Sequence, residues 1–196
     1  IMPAGDNITL KNVGFNFVPG SEGSVVNGLT IDNNVGKWSN NGAIQLVPIL
    51  IQHAKDITVI NSYIHSSAAS VPAINGAIYM MNASYCNIRN NTISQSSGKT
   101  PIQIVSSSYN NMTDNKIYSK ASNVIFIGMG FNTYSVAGIS EFNIFKNNII
   151  NGTTGMNSPM CYGIRILGNN AAGKPTGQNT FAGNVISNAF IGIQAQ

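Results

Sequence analysis

Charged residues are what this chain has least of. Asp, Glu, Lys and Arg make up 8% of its 196 residues, about a third of the ~25% of an ordinary soluble domain. Only six acids are present, Asp6, Glu22, Asp32, Asp56, Asp114 and Glu141, which restricts any chemistry that runs on paired carboxylates. The ten basic residues leave a net charge of +4, but no five-residue window holds three of them. Nucleic-acid proteins cluster Lys and Arg on one face, so no nucleic-acid partner is expected. Cysteine is scarce as well. Cys86 and Cys161 lie far apart with no CxxC and no metal-ligand spacing, so no metal is expected; two buried thiols and a disulfide both remain open. No apolar run approaches the ~18 residues of a membrane span, and no basic segment followed by an apolar one opens the chain. Membrane insertion is therefore not expected. GxSxG, HExxH and Gly-rich phosphate loops are absent too, and no cofactor is implied.

What is present is a repeat. Apolar residues make up 43% of the chain, enough for a continuous core. Ile57-Thr-Val-Ile-Asn-Ser-Tyr-Ile64 and Cys86-Asn-Ile-Arg-Asn-Asn-Thr-Ile93 share a pattern with segments 110–117, 142–149 and 179–186. Ile8 to Phe15 is read as a further copy and Leu29 to Gly36 as a weaker one. The slots run apolar, any, apolar, any, Asn-like, Asn-like, any, Ile, and the first slot is the loosest. A second pattern interleaves with it, at Gly42 to Leu46, Gly76 to Met80, Thr100 to Ile104, Asn123 to Ile127 and Tyr162 to Ile166. Its last copy lies shifted near Phe190 to Ile193.

Alternation of inward and outward side chains marks each piece as a short strand rather than a helix. The spacing between copies varies while the motif persists, which predicts coils of constant section carrying loops of different length. One such coil cannot bury its own apolar face and must stack on its neighbours. Inward columns follow, for example Val59, Ile88, Met112, Ile144 and Phe181, with Cys86 facing inward. The paired Asn slots belong at corners, because Asn tolerates the left-handed conformation and bonds to the same residue one coil away. Expected ladders are Asn61 with Asn90, and Asn91 with Asn115, Asn147 and Asn184.

The grammar GIxL followed by N-N-x-I resembles the parallel β-helix repeat of the pectin-lyase-like superfamily, over essentially the whole chain. That group includes polysaccharide lyases and hydrolases, bacteriophage tailspikes and surface adhesins. The resemblance implies an all-β, right-handed single-stranded parallel β-helix of about six to seven coils, one domain over residues 1–196. It also implies a polysaccharide or cell-surface glycan as partner and a place outside the cell, on its surface or on a virion. The strand Ile191-Gly-Ile193, with nothing after it, suggests a piece of a longer chain, a homotrimer or end-to-end assembly. Function is not implied by the fold alone.

Equivalent outward positions fall ~4.8 Å apart per coil, which lets catalytic geometry be tested from the alignment. Glycoside hydrolysis needs two carboxylates ~5–5.5 Å or ~6.5–9.5 Å apart. The alignment puts Asp56 and Glu141 in one column but three coils apart, roughly 14 Å, and Asp32 and Asp56 at opposite ends of a strand. A metal-free lyase needs a base and a cation instead. Tyr63 and His65, then Thr92 and Ser94, then Lys116 and Tyr118 form such a face, with Arg89 just before the corner. An ordinary polar face has the same composition.

A second column, Gln45, Tyr79, Gln103, Phe126 and Arg165, offers aromatic rings between hydrogen-bonding groups, suited to sugars if no loop covers it. Trp38 is a further loop candidate. The leading expectation is a glycan-recognising module of a tailspike or secreted carbohydrate-active protein. A non-catalytic structural or adhesive protein comes second and an acidic-polysaccharide lyase third.

Overall fold

The computed structural model describes residues 8–33, 47–66, 76–96, 100–119, 123–128, 140–152, 162–167, 177–189 and 191–195. Gln45, Trp38 and Cys161 lie outside them. Strands appear in the order the repeat predicts. The first coil holds β1 (Thr9–Lys11), β2 (Phe15–Phe17) and β3 (Val25–Asn27); the second holds β4 (Thr30–Asn33), β5 (Ile49–Gln52) and β6 (Thr58–Ile60). Next come β7 (Tyr63–Ser66), β8 (Ile78–Met81) and β9 (Asn87–Arg89), then β10 (Thr92–Gln95), β11 (Ile102–Val105) and β12 (Asn111–Thr113). The later coils contain β13 (Lys116–Ser119), β14 (Asn123–Gly128) and β15 (Ile144–Lys146), then β16 (Ile149–Gly152), β17 (Tyr162–Leu167) and β18 (Thr180–Ala182). Two strands, β19 (Val185–Ser187) and β20 (Ile191–Ala195), complete the set.

Every third strand joins the same sheet, giving two seven-stranded sheets and one of six strands. All the pairings are parallel. This is a parallel β-helix of about seven coils. The first sheet runs from β1 to β19, the second from β2 to β20, and the third from β3 to β18.

Isoleucine fills the interior. Ile31, Ile64, Ile93, Ile117 and Ile150 stand in one column of the first sheet, each at most 1% exposed. Ile49, Ile78, Ile102, Ile125 and Ile164 do the same in the second, all at 0%. Each such side chain contributes about 1.5–3 kcal/mol by leaving water, and only the neighbouring coils make that possible.

Register differs from expectation in four places. Asn111 pairs with Ile144 and Met112 with Phe145, so the copy 142–149 is really 143–150. Phe145 and Ile150 are fully buried, whereas Ile144 and Ile149 are 43% and 41% exposed. A one-residue slip exchanges the faces of a strand, and here both alternatives carry apolar residues, so the alternation alone cannot decide. At the start, Leu10 lies over Ile31, in the column of Ile64 rather than that of Val59. The third-sheet slot expected for Leu29 to Ile31 is held by Val25-Val-Asn27 instead. In the second sheet Ile49 and Ile51 pair with Ile78 and Met80; Val47 to Ile51 therefore fills the slot given to Gly42 to Leu46.

Two corners are built from left-handed residues. Between the third and first sheets, Gly28, Asn61, Asn90, Asp114, Asn147 and Gly183 all have φ between 54° and 69°. Glycine takes this region without strain, and Asn and Asp enter it more readily than other residues. Immediately after them runs a buried ladder. Each Asn Oδ1 accepts from the backbone N–H and Nδ2 of its counterpart one coil earlier, through Asn91, Asn115, Asn148 and Asn184. Asn148 thus takes the place expected for Asn147, whose own amide instead reaches Asp114 at the surface. A second ladder was not foreseen: Asn110, Asn143 and Asn179 are linked in the same way at the other corner, and the backbone N–H of Cys86 donates to Asn110 Oδ1 at its start. The Asn residues of the loose first slot are therefore ladder members, Asn110 buried and Asn179 part-buried. Cys86 is a free, buried thiol.

Candidate functional site

Inward isoleucines force their neighbours outward, so the first sheet presents two columns to solvent. One runs Thr9, Thr30, Tyr63, Thr92, Lys116, Ile149 and Val185. The other runs Lys11, Asp32, His65, Ser94, Tyr118, Asn151 and Ser187. The structure thereby brings Tyr63, His65, Lys116 and Tyr118 onto one face of three successive coils. Tyr63 and Tyr118 are 43% and 38% exposed. The rings of Tyr63 and His65 lie 6.3 Å apart and nearly parallel, and His65 Nδ1 meets Ser94 Oγ at 2.6 Å.

Arg89 is not part of this face. It pairs with Ile60 and Thr113 in the third sheet, and Lys146 follows two rungs on. Both cations are exposed across the Asn corner from Lys116.

Asp32 requires a correction as well. It lies beside His65 on the next coil, not at the strand end opposite Asp56. Glu141 does not share a column with Asp56: its backbone N–H donates to Ser108 Oγ, and Ser84 bridges Ser108 to Lys55. Glu141 therefore falls in the column of Lys55, three coils away.

The second-sheet column proves to be Leu50, Tyr79, Gln103, Phe126, Arg165 and Gln194. Tyr79 was expected as an exposed platform; it is 6% exposed and packs with Val47, Leu50, Val105 and Met81. Burial pushes its phenol up to about 12. Gln103 and Arg165 are half-buried, and the Arg165 guanidinium sits 5.2 Å from the centre of the Tyr162 ring, within cation–π range. The side chain of Phe126 lies outside the described residues.

Sequence reasoning missed an aromatic ladder. Tyr85, Tyr109 and Phe142 stack with centroids 5.2 and 4.9 Å apart and planes within 12°. All three occupy the left-handed region, at φ 56° to 61°, where a bulky residue is strained by about 1–3 kcal/mol. Each aromatic pair contributes roughly 0.5–1.5 kcal/mol beyond its burial, which offsets part of that strain. The signal was an aromatic just before the first slot, in Tyr85-Cys86, Tyr109-Asn110 and Phe142-Asn143. Placing Phe142 inside that slot hid it. Tyr109 uses both ring faces on its neighbours, so it offers no free face as a sugar platform.

Among the described residues no three His, Cys, Asp or Glu side chains gather as a metal site. No helix there is long and apolar enough to cross a membrane.

In comparison with known proteins, the A-module of mannuronan C-5 epimerase AlgE4 from Azotobacter vinelandii superposes with a TM-score of 0.55 at 15% identity. The match covers 97% of this chain and 56% of that one, and at this identity it speaks to fold alone. No curated protein matches the sequence. A family model, the right-handed beta helix region, matches residues 4–195. With that match and the stacked parallel sheets, the chain belongs to the right-handed β-helix family.

Proposed function

We propose that this chain is a glycan-recognising module that lays an acidic polysaccharide along the outer face of its first sheet, outside the cell or on a virion. The observation that carries this reading is the in-register run of Tyr63, His65, Ser94, Lys116 and Tyr118 over three coils. The rungs repeat every ~4.8 Å and run along the axis on which a polymer would lie. Tyrosine rings cover the apolar faces of sugars while their hydroxyls bond to those of the ligand. Lys116 supplies a cation for the carboxylate or sulfate of an acidic sugar, and Arg89 and Lys146 extend the positive field around the corner. The β-helix holds these side chains on a rigid floor, so little ordering cost opposes binding. The likeness in fold to a polysaccharide-modifying module agrees in class only.

Calorimetric titration with panels of acidic and neutral oligosaccharides tests the reading. Binding of acidic members is expected, weakened about tenfold by Lys116→Ala or Tyr118→Ala, equivalent to ~1.4 kcal/mol. Wild-type protein that binds no member of a broad panel overturns it.

A further inference from the structure

Three residues of one outer column have a second chemistry open to them. Ser94, His65 and Asp32 stand on consecutive rungs of the first sheet. Ser94 Oγ and His65 Nδ1 are already joined by a short hydrogen bond of 2.6 Å, the contact an activated serine needs. Asp32 is the register partner of His65 on the preceding rung, on the side away from Ser94. A carboxylate that bonds the far nitrogen of an imidazole holds the proton there and leaves the near nitrogen to act as base.

We propose that Ser94 is the nucleophile of an ester-cleaving centre, with His65 as general base and acid and Asp32 as the residue that positions His65. As Ser94 Oγ attacks the ester carbonyl carbon, His65 Nδ1 takes the hydroxyl proton. The ester C–O bond then breaks, and His65 returns that proton to the departing alcohol. Water attacks the acyl-Ser94 carbonyl after giving a proton to His65, the acid leaves, and Ser94 regains its hydrogen.

The strand N–H groups here are committed to the parallel ladders on both sides, so the oxyanion has to be met by side chains. Tyr118 is on the rung after Ser94, and Lys116 lies two residues before it on the same strand; their O–H and ammonium are the available donors. The substrate class is a small acyl ester carried on a hydroxylated ligand, an O-acylated glycan in the groove. That identity of the natural substrate rests on the glycan reading above; the ester chemistry does not.

The test uses the whole chain with p-nitrophenyl acetate and a fluorophosphonate probe. Expected are turnover above the buffer rate and covalent labelling located at Ser94 by peptide mass. Ser94→Ala and His65→Ala should each lower turnover by roughly 100-fold or more and abolish labelling, with the melting temperature unchanged. Asp32→Asn should lower kcat while leaving KM in place, a split that a merely structural role would not produce. Absence of both labelling and turnover in folded wild-type protein, or turnover undiminished in Ser94→Ala, overturns the proposal. Wild-type protein that binds oligosaccharide but shows neither ester cleavage nor labelling sinks this inference alone. Ser94-dependent cleavage without any oligosaccharide binding sinks the glycan reading alone.

Discussion

The Oδ1 of Asn115 accepts both the backbone N–H and the Nδ2 of Asn91, one coil away, at 3.0 and 3.1 Å. Its own amide nitrogen donates to Ile88 O and to Asn148 Oδ1. A fully buried side chain thus closes four hydrogen bonds between coils. An unsatisfied buried group costs about 1–3 kcal/mol. Asn115→Ala orphans several at once and should destabilise the protein by about 3 kcal/mol or more, read as a fall in the denaturation midpoint. Asn147→Gly, at the exposed corner where Gly183 already serves one coil later, should change the stability by less than about 1 kcal/mol.

Tyr109 is stacked on both faces, by Tyr85 and by Phe142. Tyr109→Ala keeps the left-handed strain and loses both ring pairs, an expected cost of about 1–3 kcal/mol. Tyr109→Asn also loses the rings but suits the backbone, so it should cost less. Denaturation curves of the two variants give the order directly, and a larger loss in the Asn variant would contradict the strain argument.

Alkaline pH should unfold the protein earlier than its scarcity of charge suggests. Burial, mainly by desolvation, pushes the Cys86 thiol up from 9.0 to about 11 and the Tyr79 phenol up from 10.0 to about 12. Each group stays protonated when folded over a range in which the unfolded chain has lost the proton. Their contribution is fully present below pH 9 and is lost as pH rises, between 9 and 11 for Cys86 and between 10 and 12 for Tyr79. Over those windows stability falls by up to about 1.4 kcal/mol per pH unit for each group. Denaturant midpoints measured from pH 7 to 12 check the window, and Tyr79→Phe should remove the upper part of the fall.

Cys86 should also resist alkylation. Its thiolate is scarce below pH 9 and the sulfur is buried against Ser84 O. Iodoacetamide at pH 8 is expected to leave Cys86 unmodified in the folded chain and to modify it once denaturant is added. Rapid labelling of the native protein at that position would place the thiol outside the core.

If an acidic glycan lies on the first sheet, its binding has a salt signature. Lys116→Gln should flatten the loss of affinity with rising ionic strength, since one screened contact has gone. Tyr79→Phe, on the buried patch of the second sheet, should leave affinity unchanged. Titrations at low and high salt separate these outcomes.

The repeat of Ile and Asn determined the fold class without help: a coil whose apolar face needs its neighbours has to stack, and corner Asn residues need partners one coil away. The face holding Tyr63, His65, Lys116 and Tyr118 was legible for the same reason, since three consecutive copies aligned without ambiguity. Elsewhere local pattern ran out. In segment 142–150 either parity puts apolar side chains inward, and only the bonds of Asn143 and Asn148 to Asn110 and Asn115 choose between them. That choice moved Phe142 out to the aromatic ladder and Glu141 into the column of Lys55. Asp32 came into register with His65 only when Ile31 took its place beside Ile64, and Tyr79 was buried largely by Val47, Leu50 and Val105, which its own strand does not carry. Periodicity belongs to each segment and can be read along the chain. The partner of a residue belongs to the contact between segments, and which residues meet is settled only when every coil satisfies its hydrogen bonds at once.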